Sequence, residues 1–140
     1  MDSVSLKQII ERIPELCYKY VGSFPCDKIP NLPTYSFAII NNQPSGFAGE
    51  HWIMVARTME NFYYADSLGE KYKFLERKYR PMISSKLQKI ENLCGFYTIY
   101  AAYELFKFNI TQINYFNDVF VYKRILNIKK GNIKKFHAAE

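Results

Sequence analysis

Cys94 is the residue whose type and position point most directly to chemistry. It stands with Gly95 at the start of an apolar segment whose periodicity predicts a helix over 95–108. The N–H groups and the macrodipole at a helix N-terminus stabilise a thiolate, which is the nucleophilic form of cysteine. Because most free cysteines are small buried hydrophobes, this position favours a nucleophile without excluding a structural role.

His51 and Asp66 are the candidate base and orienting acid for this nucleophile. His51 begins a predicted strand over 51–58, and Asp66 ends a second one over 61–66. If the strands form a hairpin, both side chains lie at one edge, because the first strand leaves that edge and the second returns to it. Asp66 could then accept a hydrogen bond from the His51 ring and fix its tautomer. The alternatives are a surface or satisfied core histidine at 51 and a turn-forming aspartate at 66.

Gln88 is the candidate side-chain donor to an oxyanion, since it lies six residues before Cys94. Tetrahedral intermediates of acyl transfer are stabilised by preorganised amide donors, and the backbone N–H of Cys94 is a second candidate. Asn92 carries the same amide group, so the identity of the side-chain donor stays open.

These side chains must be held by an α+β domain with a small, mostly antiparallel sheet packed on helices. Hydrophobic periodicity, β-branched and aromatic runs, and proline positions predict the elements. Predicted helices cover 5–12, 70–79, 95–108, 111–116 and 118–126, predicted strands cover 35–40, 51–58, 61–66 and, more briefly, 84–90, and 22–33 with its three prolines is an expected loop. We expect a single domain over 1–140 with a basic, frayed tail at 129–140.

The composition predicts a globular protein that is not secreted. Apolar residues make up 49% and charged residues 23% of the 140-residue chain, which is ordinary for a folded domain. Its three cysteines indicate a reducing compartment, and they lack the spacing to each other and to the two histidines that a metal site needs. No apolar run approaches the roughly 20 residues of a membrane helix, and no secretory signal is recognisable. We therefore expect no membrane, no metal and a monomer.

Positive charge is concentrated in two segments. Residues 71–90 carry seven Lys and Arg against one acid, and residues 123–135 carry six against none, whereas 1–70 have a net charge of −3. A basic face of this kind could bind the phosphates of DNA without reading its sequence, and a solubilising surface is the alternative. The candidate DNA-binding residues are Lys71, Lys73, Arg77, Lys78, Lys129 and Lys130.

Several short motifs together resemble the adenovirus protease (adenain) family of cysteine peptidases. They are Gly49-Glu50-His51-Trp52, Tyr64-Ala65-Asp66-Ser67-Leu68-Gly69, Gln88 and Cys94-Gly95-Phe96-Tyr97. The stretches 22–30 and 39–41 also resemble adenain-like proteases of DNA viruses and of virus-like (Polinton/Maverick) transposons. The same triad order and the same spacing from glutamine to cysteine occur in the related ubiquitin-like-protein proteases. The resemblance covers about residues 20–108.

The resemblance implies a cysteine-protease fold of the adenain and ubiquitin-like-protease type, with the nucleophile at the N-terminus of a central helix. It implies a Cys-His-Asp triad that cleaves viral capsid and core precursors after small residues such as glycine. The implied catalytic residues are His51, Asp66, Cys94 and, at the oxyanion, Gln88. The implied substrate-binding residues are Trp52, Gly49 and Glu50, and core packing is the alternative for Trp52.

The resemblance also sets expectations about cofactors, partners and location. The chemistry would need no cofactor, although DNA or a viral peptide could activate the enzyme, as adenovirus-type proteases are stimulated by DNA. The disulfide that can link the family's peptide cannot be assigned to Cys17 or Cys26. The expected locations are the virion and the nucleus or cytoplasm of the host cell.

Three other functions are compatible with the same residues. A protease that removes ubiquitin-like proteins would also cut after Gly-Gly. A catalytically inactive relative could retain only DNA binding. An acetyltransferase could use the same triad, but it would need an acetyl-CoA site for which the sequence gives no signal.

Overall fold

The computed structural model describes residues 1–47, 51–90, 92–114 and 117–129 of the chain. These residues form an α+β fold in which a five-stranded mixed sheet packs against helices, so the predicted class is confirmed. In chain order the elements are α1 (Ser3–Glu11), α2 (Pro14–Cys17), β1 (Tyr20–Pro25), β2 (Ser36–Asn41), β3 (Trp52–Arg57), β4 (Phe62–Ala65), β5 (Tyr79–Pro81), α3 (Cys94–Phe108) and α4 (Asp118–Lys129).

The strands lie in the sheet in their sequence order, from β1 to β5. The pairings β2–β3 and β3–β4 are antiparallel, whereas β1–β2 and β4–β5 are parallel. The prediction of a mostly antiparallel sheet is therefore wrong. The segments 26–35 and 66–78 carry the chain back along the sheet before the next strand begins, and such return connections make neighbouring strands parallel.

Both faces of the central strands are covered. On one face Phe37 of β2 and Met54 of β3 pack with the buried side of α3 and with α1, α2 and α4. On the other face Ile40 and Ile53 pack under irregular segments that contribute Leu32 and neighbouring aromatic side chains. Strand β2 is consequently buried at all six residues, and α3 is a central helix with most of its first eleven residues buried.

The segment 70–90 differs from its predictions. Residues 70–78 form turns instead of the predicted helix, and 84–90 form no strand. Tyr72, Phe74 and Leu75 pack against the second face of the sheet, a spacing that a single helical stripe does not provide. The backbone N–H groups of Leu87 and Gln88 both donate to the Ser67 carbonyl, at 2.9 and 3.0 Å, instead of joining a strand ladder.

Two smaller predictions are also corrected. Strand β1 includes residues 22–25 of the predicted loop 22–33. Pro25 is the last residue of the strand, so the other two prolines lie beyond it and do not interrupt its pairing. Residues 111–114 are not helical, and the rest of that predicted helix, 115–116, lies outside the described residues. Within the described ranges, no helix combines the length and apolar character that crossing a membrane requires.

Candidate active site

Helix α3 begins at Cys94, whose side chain is buried at the junction of this helix and the sheet. The residue before it, Leu93, makes no side-chain capping bond, so the helix N-terminus is not closed by its own N-cap. The Cys94 sulfur instead accepts hydrogen bonds from the backbone N–H groups of Gly95 and of Trp52 at the start of β3. The positive end of the helix therefore faces the thiol.

The β3–β4 hairpin brings His51 and Asp66 to the same edge, as the sequence predicts. The Nε2 atom of His51 lies 2.5 Å from Oδ1 of Asp66, and both side chains are at least nine-tenths buried. A second side-chain hydrogen bond joins His51 to Cys94. Since Nε2 is occupied by Asp66, Nδ1 is the ring nitrogen that remains for the thiol. The structure thus connects the three predicted residues in the order Cys94, His51, Asp66.

The carboxylate of Asp66 is fully buried and held on both of its oxygens. Oδ1 accepts from the Leu68 backbone N–H at 3.1 Å, and Oδ2 accepts from that of Glu70 at 3.0 Å. The hydroxyl of Tyr72 donates to the same carboxylate. These donors fix the orientation of Asp66, and through it that of the His51 ring.

The contacts within this group shift the pKa values in opposite directions. Burial alone would lower the pKa of His51, but its hydrogen bonds to Asp66 and Cys94, together with their charges, raise it to about 9. Burial alone would raise the pKa of Cys94, but His51 and the N–H groups of Trp52 and Gly95 lower it. The pKa of Asp66 is also lowered, because the His51 ring and backbone donors outweigh its burial. These directions favour a thiolate–imidazolium pair.

Gln88 is buried and lies in the segment that leads to Cys94. Its Oε1 accepts a hydrogen bond from the Ser67 hydroxyl, and its Nε2 donates to the Ile90 carbonyl at 2.9 Å. A side-chain amide has two N–H bonds, so one beyond the bond to Ile90 can serve a ligand. Ser67 follows Asp66 directly. Its hydrogen bond therefore connects the Gln88 side chain to the residue next to Asp66.

Trp52 is half-buried and lines an open cleft of about 730 Å³, whose lining includes neither His51 nor Cys94. Its indole Nε1 donates to the Met1 carbonyl at 2.8 Å, so the beginning of the chain forms part of the same wall. Polar and aromatic side chains such as Asn41 and Phe47 complete the lining. The other predicted substrate-binding residues, Gly49 and Glu50, lie outside the described residues.

The predicted DNA-binding side chains are exposed where the structure describes them. Lys71, Lys73, Arg77 and Lys78 are all exposed on the segment between β4 and β5. Lys78 contacts the Phe62 ring at 4.2 Å and Glu76 at 3.6 Å, so it is partly occupied. Lys129 is the last residue of α4 and its side chain is not described, and Lys130 lies outside the described residues.

One basic residue of the second charged segment, 123–135, is buried. Arg124 is 1% exposed, and its Nε donates to the buried Glu104 carboxylate at 3.0 Å. It connects α4 to α3 and contributes no charge to a surface for a polyanion.

Several residues that support the group were not found from the sequence. The contact of the Tyr72 hydroxyl with Asp66 and the contacts of Ser67 with Gln88 both involve irregular chain next to β5, at 70–78 and at 82–90. Asp118, which accepts three hydrogen bonds from residues on either side of Cys94, is also new. The only sequence signal for Asp118 is an acid in the first turn of a predicted helix, which usually has a capping role.

Among the residues that the structure describes, no group of three or more His, Cys, Asp or Glu side chains is arranged to hold a metal ion. The chain matches no model of a known protein family, and no curated protein is significantly similar to it. The resemblance to the adenovirus protease family therefore stays a prediction, and the geometry of the group carries the functional argument.

Proposed function

We propose that this chain is a cysteine endopeptidase. The observation that carries the proposal is the buried His51 ring, which is hydrogen-bonded to both Asp66 and Cys94. Cys94 is also the first residue of a 15-residue helix. The lowered pKa of the Cys94 thiol and the raised pKa of His51 support a nucleophile and base that are already ionised against each other. Such a pair suits acyl transfer from a peptide bond to water.

In the proposed mechanism the Cys94 thiolate attacks the carbonyl carbon of the substrate, while His51 holds the proton. His51 gives this proton to the leaving amine as the C–N bond breaks, and a thioester to Cys94 remains. His51 then takes a proton from water, whose oxygen attacks the carbonyl carbon of the thioester. The C–S bond breaks, the carboxylic acid product leaves, and the Cys94 thiolate and the protonated His51 are restored. Asp66 keeps the imidazole in the required tautomer and orientation throughout.

The negative oxygen of each tetrahedral intermediate would be stabilised by two donors. One is the backbone N–H of Cys94 at the N-terminus of α3, and the other is the remaining N–H of the Gln88 amide. Both belong to buried, fixed groups, which supports their use because preorganised donors need no rearrangement during the reaction.

We further propose the adenovirus-protease type of fold and substrate, on the strength of the motif resemblance. The expected substrates are viral capsid and core precursors cut after small residues such as glycine, in the virion or in the nucleus or cytoplasm of the host cell. The cleft beside Trp52 would hold an extended polypeptide. DNA bound by the exposed basic segment would be a partner, without contributing to the chemistry.

The proposal is tested by cleavage of Gly-Gly and Gly-Xaa peptides, with and without DNA. We expect Cys94→Ala to abolish turnover and His51→Ala to lower it by at least about 100-fold, because the nucleophile and its base act as a unit. Cys17→Ala is the matched control and should retain wild-type rates. Cleavage that persists in Cys94→Ala would overturn the proposal, and a preference for ubiquitin-like fusions would move it to the deconjugating proteases.

A further inference from the structure

Asp118 is a buried carboxylate in the first turn of α4, and it accepts hydrogen bonds on both oxygens. Oδ2 accepts from the backbone N–H groups of Lys89 at 2.9 Å and Ile90 at 2.7 Å. Oδ1 accepts from the Tyr97 hydroxyl at 2.9 Å. Each of these donors belongs to the chain immediately around the nucleophile, and none belongs to α4 itself.

The three donors enclose Cys94 along the chain. Lys89 and Ile90 precede it, whereas Tyr97 follows it by one helical turn and so lies on the same face of α3. Between them Asn92 adopts a left-handed backbone conformation with φ of 68°, which costs free energy for a residue with a side chain. Asp118 is therefore hydrogen-bonded to the chain on both sides of Asn92 and Cys94.

The segment 87–90 is held from its other side by Ser67. The Ser67 carbonyl accepts from the N–H groups of Leu87 and Gln88, and its hydroxyl bonds the Gln88 side chain. The acid side of the group and the nucleophile helix are thus joined by one continuous set of hydrogen bonds. It runs from Ser67 through 87–90 to Asp118 and Tyr97.

We propose that Asp118 is a positioning residue of the active site, an inference that rests on the proposed function. Asp118 sets the place of the Gln88–Ile90 segment, and hence of the Gln88 amide, relative to the start of α3. It touches none of the groups assigned to the reaction. Three donors converge on its two oxygens, and asparagine keeps the size of the side chain but replaces one of these two acceptors with an amide NH₂ group. At least one of the hydrogen bonds must then be lost or reversed.

The main test is Asp118→Asn, measured by steady-state cleavage of a glycine-containing peptide. A displaced oxyanion donor weakens only the transition state, so we expect kcat to fall about 10- to 100-fold while KM changes little. Amide exchange at Lys89 and Ile90 should accelerate. The rate of Cys94 alkylation should stay at the wild-type value, because the contacts among Cys94, His51 and Asp66 are untouched. Glu60→Gln, an exposed acid in the β3–β4 turn, is the control.

A second pair of variants tests the role of Asp118 if Asp118→Asn does not fold. Tyr97→Phe removes only the hydroxyl on Asp118, and we expect a smaller fall in kcat, about 3- to 10-fold, again at constant KM. Tyr122→Phe, a half-exposed tyrosine of α4, is its control and should behave as wild type. Wild-type kcat in the Asp118→Asn variant, or in Tyr97→Phe where the first does not fold, overturns the inference. Equal losses of kcat and of Cys94 alkylation overturn it too, because they indicate general damage.

Cleavage by the wild-type chain and cleavage by the variants distinguish the proposed function from the inference about Asp118. If the wild-type chain shows no cleavage that depends on Cys94, the proposed function is overturned and the inference with it. If cleavage depends on Cys94 but not on Asp118 or Tyr97, only the inference is overturned.

Discussion

The pKa of Cys94 depends on three neighbours that oppose the effect of its burial. A thiol in an apolar interior normally resists ionisation, yet the His51 ring and the N–H groups of Trp52 and Gly95 lower its pKa. Burial alone would likewise lower the pKa of His51, but its hydrogen bonds to Asp66 and Cys94 raise it. Removal of the imidazole should therefore raise the pKa of the Cys94 thiol.

The pH dependence of Cys94 alkylation tests this link. The thiolate is the reacting form, so the rate rises with pH through the thiol pKa. Because that pKa is lowered from 9.0, we expect the wild-type midpoint below pH 9.0 and a higher midpoint in His51→Ala. The measurement is the labelling rate of the Cys94 peptide by iodoacetamide, followed by mass spectrometry from pH 5 to 10. His137→Ala, which removes the other histidine of the chain, is the control, and a profile unaffected by His51→Ala would contradict the link.

At the residue scale, types and spacing were enough to select Cys94, His51 and Asp66. The partners of Gln88 were not predictable in this way, since Ser67 lies 21 residues away in sequence. A hydroxyl and an amide carry no periodic signal that would pair them. Their contact follows only once the segment between them is folded against the β4 turn.

Among the elements, the turn after β4 determines whether the acid side of the site is correctly built. Gly69 has φ of 67°, and its N–H donates to the Asp66 carbonyl at 2.9 Å. A Cβ on Gly69 would lie 2.5 Å from the carbonyl carbon of Ser85, so the backbone of the next segment passes directly over it. Glycine is therefore needed for both conformation and close approach.

The variant Gly69→Ala should lower the free energy of unfolding by more than about 3 kcal/mol, because a left-handed backbone costs roughly 1–2 kcal/mol and the overlap with Ser85 adds to it. Gly46→Ala is the matched control. Gly46 also has a positive φ, of 88°, but nothing lies within 4 Å of an added Cβ. We expect only the conformational cost there. Urea unfolding monitored by Trp52 fluorescence measures both, and equal losses would contradict the packing argument.

At the same scale, the strands of the hairpin and helix α3 were predictable because each has a clear apolar pattern. The helix predicted over 70–79 was wrong because Tyr72, Phe74 and Leu75 pack on the sheet from an irregular backbone. Aromatic side chains are large enough to reach a common surface from many backbone conformations. Their spacing is therefore weak evidence for any one secondary structure.

For the molecule as a whole, the charge distribution separates the acidic first half from the exposed basic segment between β4 and β5. Lys71 and Arg77 line one shallow cavity together with Tyr72, whose hydroxyl bonds Asp66. A polyanion on this surface would thus lie against the tyrosine whose hydroxyl contacts Asp66. The basic segment is the surface on which we expect DNA.

Binding of duplex DNA, measured by fluorescence anisotropy, should weaken steeply with salt. For contacts to about four phosphates we expect a slope of about −3.6 in log K against log salt, since each contact contributes about −0.9. Lys71→Ala and Lys73→Ala should each reduce the slope by about one contact. Lys7→Ala, an exposed lysine of α1, is the control. Affinity that does not change with salt, or equal effects of Lys7→Ala and Lys71→Ala, would contradict this binding surface.

The sequence by itself determined the α+β class, the β3–β4 hairpin, helix α3 and the three side chains at their ends that lie together in the structure. Each of these rests on a pattern that is local, or that links segments joined by one short turn. Only the tertiary structure decided the parallel edge pairings, the path of 70–90, and the roles of Tyr72, Ser67 and Asp118. Those features depend on hydrogen bonds between segments that no local sequence pattern pairs. Hydrophobic periodicity reports which face is buried but not which polar partner a folded neighbour presents.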